Sequence, residues 1–209
     1  MSTAETNPVL RTLLREKIHV QANVLARLPS AQAAALSSPF DLGRLLLAPL
    51  ATAPLGLLRF WADHARGHAV IAATQHGYVA GWQPLGKLRC DAVAWIAARR
   101  LLHEPGLAPP LAALFDHLLG SDAATDGPRL SDGVGRNAAW AEVGRALAQQ
   151  ATLGYAPAAV AVTPAAYFAW GMAAYLQDAR ALSAQDPGLE RLLRTTIFSA
   201  TFWQHSAAG

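Results

Sequence analysis

Three stretches of the chain carry no Asp, Glu, Lys or Arg at all: Leu45 to Leu58, Gly67 to Gly86 and Ala146 to Gln177. Nothing else constrains its folding as much, because segments so poor in charge must be covered by protein, by a partner or by lipid. The third is long enough to cross a bilayer on length alone. It is broken by Gln149, Gln150, Gly154, Pro157 and Pro164, which read as one helix end and one helix start. That argues against a membrane span and for an extensive apolar interior or interface.

Composition supports this reading. Hydrophobic residues make up 53% of the 209, and charged residues 15%, well under the roughly 25% usual in soluble domains. Disorder is excluded by the same balance. The net charge of +3 is carried by arginine, since Lys17 and Lys87 are the only lysines. Arginine in place of lysine, with abundant alanine, is also what a GC-rich coding bias produces, so the charge argues weakly for nucleic-acid binding and that partner is disfavoured. Cys90 stands alone, which excludes an internal disulfide and a zinc site built on cysteines. The N-terminal MSTAETNPVLRTLLREK lacks the basic start and apolar core of a secretory signal, and a cytoplasmic location is expected.

Helix signals dominate the chain. Asn7-Pro8, Thr163-Pro164 and Asp186-Pro187 each pair a capping side chain with proline at the first helical position. The first helix is expected to run on to Leu28, where Pro29 closes it. Asp41 caps a short helix through Leu47, and Pro54 opens a helix expected to reach about Val79. Another is expected from about Leu85 to His103, and a short one from Pro110 to Leu119. Asn137 caps a helix with Trp140, Val143 and Leu147 on one side. The last helix places Leu189, Leu192, Leu193, Ile197 and Ala200 on one face. The helix from 164 to 182 is apolar all round, which predicts central burial or a partner-facing role. Strand signals are confined to Val160–Val162. The expectation is an all-α fold: one helical domain over 1–209, a bundle of seven to eight helices with a long loop at 120–137.

The chemistry-bearing stretch is FWADHARGH, residues 60 to 68. On a continuous helix from Pro54 to Val79, His64, His68 and Gln75 fall in the middle of the apolar face, whereas Asp63 points away toward Arg59 or Arg66. Histidines four apart on a helix can share one metal ion. Alanine at position 65 excludes the HExxH zinc-protease motif. A third ligand would come from His103, Glu104, Asp116, His117 or His19. The same two rings could equally be core histidines bonded to a facing helix.

Weaker constellations accompany this one. Trp61, Gln75, Tyr167 and Trp170 could line a pocket for an apolar ligand. Gly133 and Gly135 precede the Asn137-capped helix with Arg129 and Arg136 nearby, which resembles an anion site at a helix N-terminus. Asp122, Asp126 and Asp132 do not have calcium-loop spacing, and Cys90 reads as a small core residue. No complete catalytic set is present. The function expected from the sequence is an accessory or interaction protein (an adaptor, chaperone-like factor or non-catalytic subunit) that buries charge-poor surface against a protein partner or a second copy of itself. The alternatives are a metal-dependent helical-bundle enzyme using His64 and His68 with a divalent ion as cofactor, and an apolar small-molecule-binding bundle.

Overall fold

A four-stranded mixed sheet lies within the helices, which corrects the all-α helical-bundle expectation: the protein is α/β. The computed structural model describes residues 7–104, 106–121, 127–153, 155–157 and 163–206. Pro105, Asp122, Asp126, Gly154 and the Val160–Val162 cluster, all of which entered the sequence reading, lie outside them.

Helix α1 (Pro8–Glu16) starts as expected, with the Asn7 side chain accepting from the Val9 amide. It does not reach Leu28. It ends at Lys17 and gives way to strand β1 (Ile18–Val20). Short helix α2 (Ser30–Ala34) follows, then α3 (Pro39–Leu47), which is held by a capping box between Ser38 and Asp41. Asp41 therefore acts three residues inside the helix, not as its cap.

The helix expected from Pro54 to Val79 is three elements: α4 (Leu55–Asp63), β2 (His68–Ala72) and β3 (Gly77–Val79). Gly67, at φ +92°, provides the left-handed turn between α4 and β2. The helix expected from Leu85 to His103 is likewise replaced by β4 (Gln83–Leu85), β5 (Leu88–Cys90), β6 (Val93–Ala97) and a short α5 (Ala98–His103). After these come α6 (Pro109–Gly120), α7 (Ala138–Ala151), α8 (Pro164–Gln185), α9 (Pro187–Thr195) and α10 (Ala200–Ser206).

Strands run in the order β1-β2-β6-β3, with β1, β2 and β6 parallel and β3 antiparallel at the edge. Side chains alternate between the two faces. Ala69, Ile71, Ala94 and Ile96 join the main core with α4, α6 and the C-terminal helices. Val70, Ala72, Val93 and Trp95 face the other way, into a smaller cluster with Cys90, Val79 and Leu85. That second face is roofed by the β4–β5 hairpin, whose two-residue loop Gly86-Lys87 puts Gly86 at φ +61°.

The main core extends from Leu10 to Trp203 in one cluster that includes Leu57, Leu58, Trp61, Phe115, Trp140 and Phe168, all essentially inaccessible. Removing one such leucine side chain costs about 2–5 kcal/mol. Asp186, fully buried, joins three helices: it caps the Leu189 amide of α9 and accepts from Gln150 on α7 and the Tyr167 hydroxyl on α8. Within α8, Asp178 leaves helical geometry at φ −158°, ψ 94°, and its carboxylate receives the Arg180 and Ala181 amides, restarting the helix across the kink. The last helix expected from the sequence is divided: α9 stops at Thr195 and Ala200 begins α10.

Candidate metal centre

His19 and His68 arrive on neighbouring parallel strands. Register pairs His19 with Val70, so His19 shares a sheet face with Val70 and with His68, two residues earlier on β2. Their rings lie 5.2 Å apart, centroid to centroid, and His19 Nε2 faces His68 Nδ1 at 3.1 Å. Cys90, the last residue of β5, is brought down onto the same face by the hairpin and is buried. One ligand atom each from His19, His68 and Cys90 lie within 4.8 Å of one another. Among the described residues this is a group of three side chains placed to hold a metal ion.

Electrostatics favour ligand-ready imidazoles. Burial lowers the His68 pKa to about 4, helped by the Lys17 charge and by His19. Burial and Lys17 lower that of His19 in the same direction. Both rings are thus neutral at neutral pH, with lone pairs available to a metal. Burial raises the Cys90 thiol, and Asp91 adds to the effect, while Lys17 opposes both. The thiol remains protonated until an ion or base takes its proton.

Lys17 organises the edge of the site. It is buried, its Nζ donates to the His64 carbonyl and, at 3.3 Å, to the Arg66 carbonyl, and burial lowers its pKa. The turn after α4 is therefore fastened to the end of α1. Trp61 fastens the same turn from the core side, its Nε1 donating to the Gly67 carbonyl at 2.9 Å.

The pairing of His64 with His68 rested on a helix that ends at Asp63. His64 is the C-cap residue of α4, and its Nδ1 accepts from the Arg66 amide at 3.1 Å, so it is a turn residue. The third ligands proposed with it are dispersed. His103 and Glu104 lie exposed at the end of α5, with His103 Nε2 at 2.6 Å from Gln32 Nε2. His117 is buried on α6 and bonded to the Tyr78 hydroxyl. Its neighbour Asp116 accepts from the Ser131 amide and hydroxyl at 2.8 and 2.7 Å, and burial raises its pKa to about 7. His19, the remaining candidate, is the one that meets His68.

The expected apolar pocket is not assembled. Trp61 is core, packed edge-on against Phe115, Gln75 is exposed, and Tyr167 bonds Asp186 with Trp170 beside it. The expected anion pair separates too, because Arg129 lies over the Tyr78 ring and Arg136 over that of Phe60. Gly135 and Gly144 have a packing role: a Cβ on either would come within 2.1 Å of the backbone of Trp140 or Val134. The Asn137 cap itself holds, with its side chain accepting from the Trp140 amide.

Cys90 was the functional residue hidden from sequence reasoning. Its signal was the Gly86-Lys87 dipeptide between two short segments, the mark of a two-residue hairpin, which would have placed Cys90 on a strand. No helix among the described residues is long and apolar enough to cross a membrane. Compared with known proteins, the chain matches no family model, no curated protein and no solved structure.

Proposed function

We propose that this is a metal-binding protein whose His19, His68 and Cys90 hold one divalent ion of the zinc class. The observation that carries the reading is the convergence of two neutral imidazoles and a thiol within 4.8 Å, from three strands remote in sequence. Mixed nitrogen and sulfur donors suit zinc, and three protein ligands leave a fourth tetrahedral position for water or substrate. His19 and His68 are half-buried, so that position is reachable from solvent. Binding would displace the proton shared between the facing imidazole nitrogens and the proton of the thiol. A reduced thiol fits the cytoplasm.

The test is metal stoichiometry on protein purified without a metal-affinity tag and then titrated with zinc. One equivalent in the wild type, lost in both His68→Ala and Cys90→Ala but kept in His64→Ala, supports the proposal. Failure to bind zinc, or unchanged stoichiometry in the first two variants, overturns it.

A protein-interaction role is a second reading, favoured by Trp82 and Leu88, which stand 48% and 55% exposed on and beside the hairpin that carries Cys90. Light scattering across a concentration series tests self-association. A mass that rises in the wild type and not in Trp82→Ser with Leu88→Ser supports it, and a constant monomer mass rules out the second copy.

A further inference from the structure

A cavity of about 460 Å³ opens between α4, the start of α7 and α10, and it shares no residue with the metal centre. Its apolar wall is formed by Phe60, Trp140 and Trp203, whose rings are mutually packed: Phe60 to Trp203 at 5.5 Å and Trp140 to Trp203 at 4.9 Å. Arg59 and Arg136 line the same space, with the Arg136 guanidinium 4.8 Å from the Phe60 ring centroid. Ser206, only 7% exposed, also lines it, and its hydroxyl has no hydrogen-bond partner among the described residues. A buried hydroxyl without a partner is costly unless something supplies one.

We infer that this cavity binds a small aromatic monocarboxylate. The volume lies within the range of small-ligand sites, and the wall is the stacking surface such sites use for a planar apolar body. Two guanidiniums supply fork-shaped donors that match a carboxylate. Asp63 lies in the same lining, so its charged members, Arg59, Arg136 and Asp63, sum to a single positive charge. That sum is met by one carboxylate, whereas a dianion such as phosphate would face the Asp63 charge unneutralised. The α7 N-terminus at Asn137 adds its partial positive charge at the same end. Arg136, chosen from the sequence as an anion ligand, keeps that role here with Arg59 as its companion in place of Arg129.

Ligand-observed and indole-proton NMR on the full chain tests this, with phenylacetate as the probe, 2-phenylethanol as its neutral counterpart and inorganic phosphate as the dianion. Phenylacetate is expected to shift the Trp140 and Trp203 indole signals and to bind at least tenfold tighter than 2-phenylethanol. Arg59→Ala and Arg136→Ala, both exposed positions, are expected to weaken phenylacetate at least tenfold with the melting temperature unchanged. Binding should be the same after chelator treatment, which separates this site from the metal centre. Equal affinity for the neutral probe, tighter binding of phosphate, or no shift at either indole would overturn the inference.

Discussion

Two residues set opposing pH dependences. His68, held near 4, is disfavoured as a cation in the folded chain but titrates near 6.5 when unfolded. Its contribution to stability is complete above about 6.5 and is lost as pH falls toward 4. After discounting for its partial exposure, the loss is roughly 1–2 kcal/mol. Asp116 acts in the other direction. Burial lifts its carboxyl to about 7 despite two hydrogen bonds from Ser131, so the folded chain keeps a proton that the unfolded chain gives up near 4. Stability from that proton is present at pH 4 and lost as pH rises through 7. Chemical denaturation of metal-free protein from pH 4 to 7.5 separates the two. His68→Phe should remove the loss on acidification, and Asp116→Asn should remove the loss on approaching pH 7. If either variant leaves the pH profile parallel to wild type, the burial argument for that residue fails.

The elements most easily read from the sequence were those bounded by their own capping chemistry. Asn7, Asn137, Thr163 and Asp186 each accept from a backbone amide at the helix start that their Asx-Pro or Asx pattern predicts. The strands were illegible for a physical reason. β2 and β6 are HAVIA and VAWIA, covered on both faces, so they show no alternation and resemble a buried stretch of helix. Alanine, a strong helix former, reinforced that resemblance, and tertiary pairing overrode it. The β4–β5 hairpin is the element whose behaviour the metal reading predicts. Cys90 ends β5, so an ion shared with His19 and His68 ties the hairpin to the sheet. Hydrogen exchange of amides from 83 to 90 should slow on adding zinc to the wild type and stay unchanged in Cys90→Ala. Equal exchange with and without zinc in the wild type would detach the hairpin from the site.

At the scale of the whole molecule, the charge-poor stretches turned out to line an interior. Leu46, Leu47, Leu50, Leu57 and Leu58 of the first stretch, and Ala69 to Ala72 of the second, are buried in the two clusters that sandwich the sheet. The candidate site follows from the same topology. His68 was visible as a buried histidine, and His19 was among its possible companions. Their adjacency depends on a parallel β1–β2 pairing that closes across the helices from residue 21 to residue 67, and no local pattern encodes such a pairing. Cys90 needed a further step, the fold-back of a hairpin over the sheet. X-ray absorption at the zinc edge, on protein loaded with one equivalent, tests this convergence most directly. The account predicts about two nitrogen scatterers from imidazole near 2.0–2.1 Å and one sulfur near 2.3 Å, with the sulfur lost in Cys90→Ala. A coordination shell with no sulfur, or one unchanged by Cys90→Ala, would contradict it.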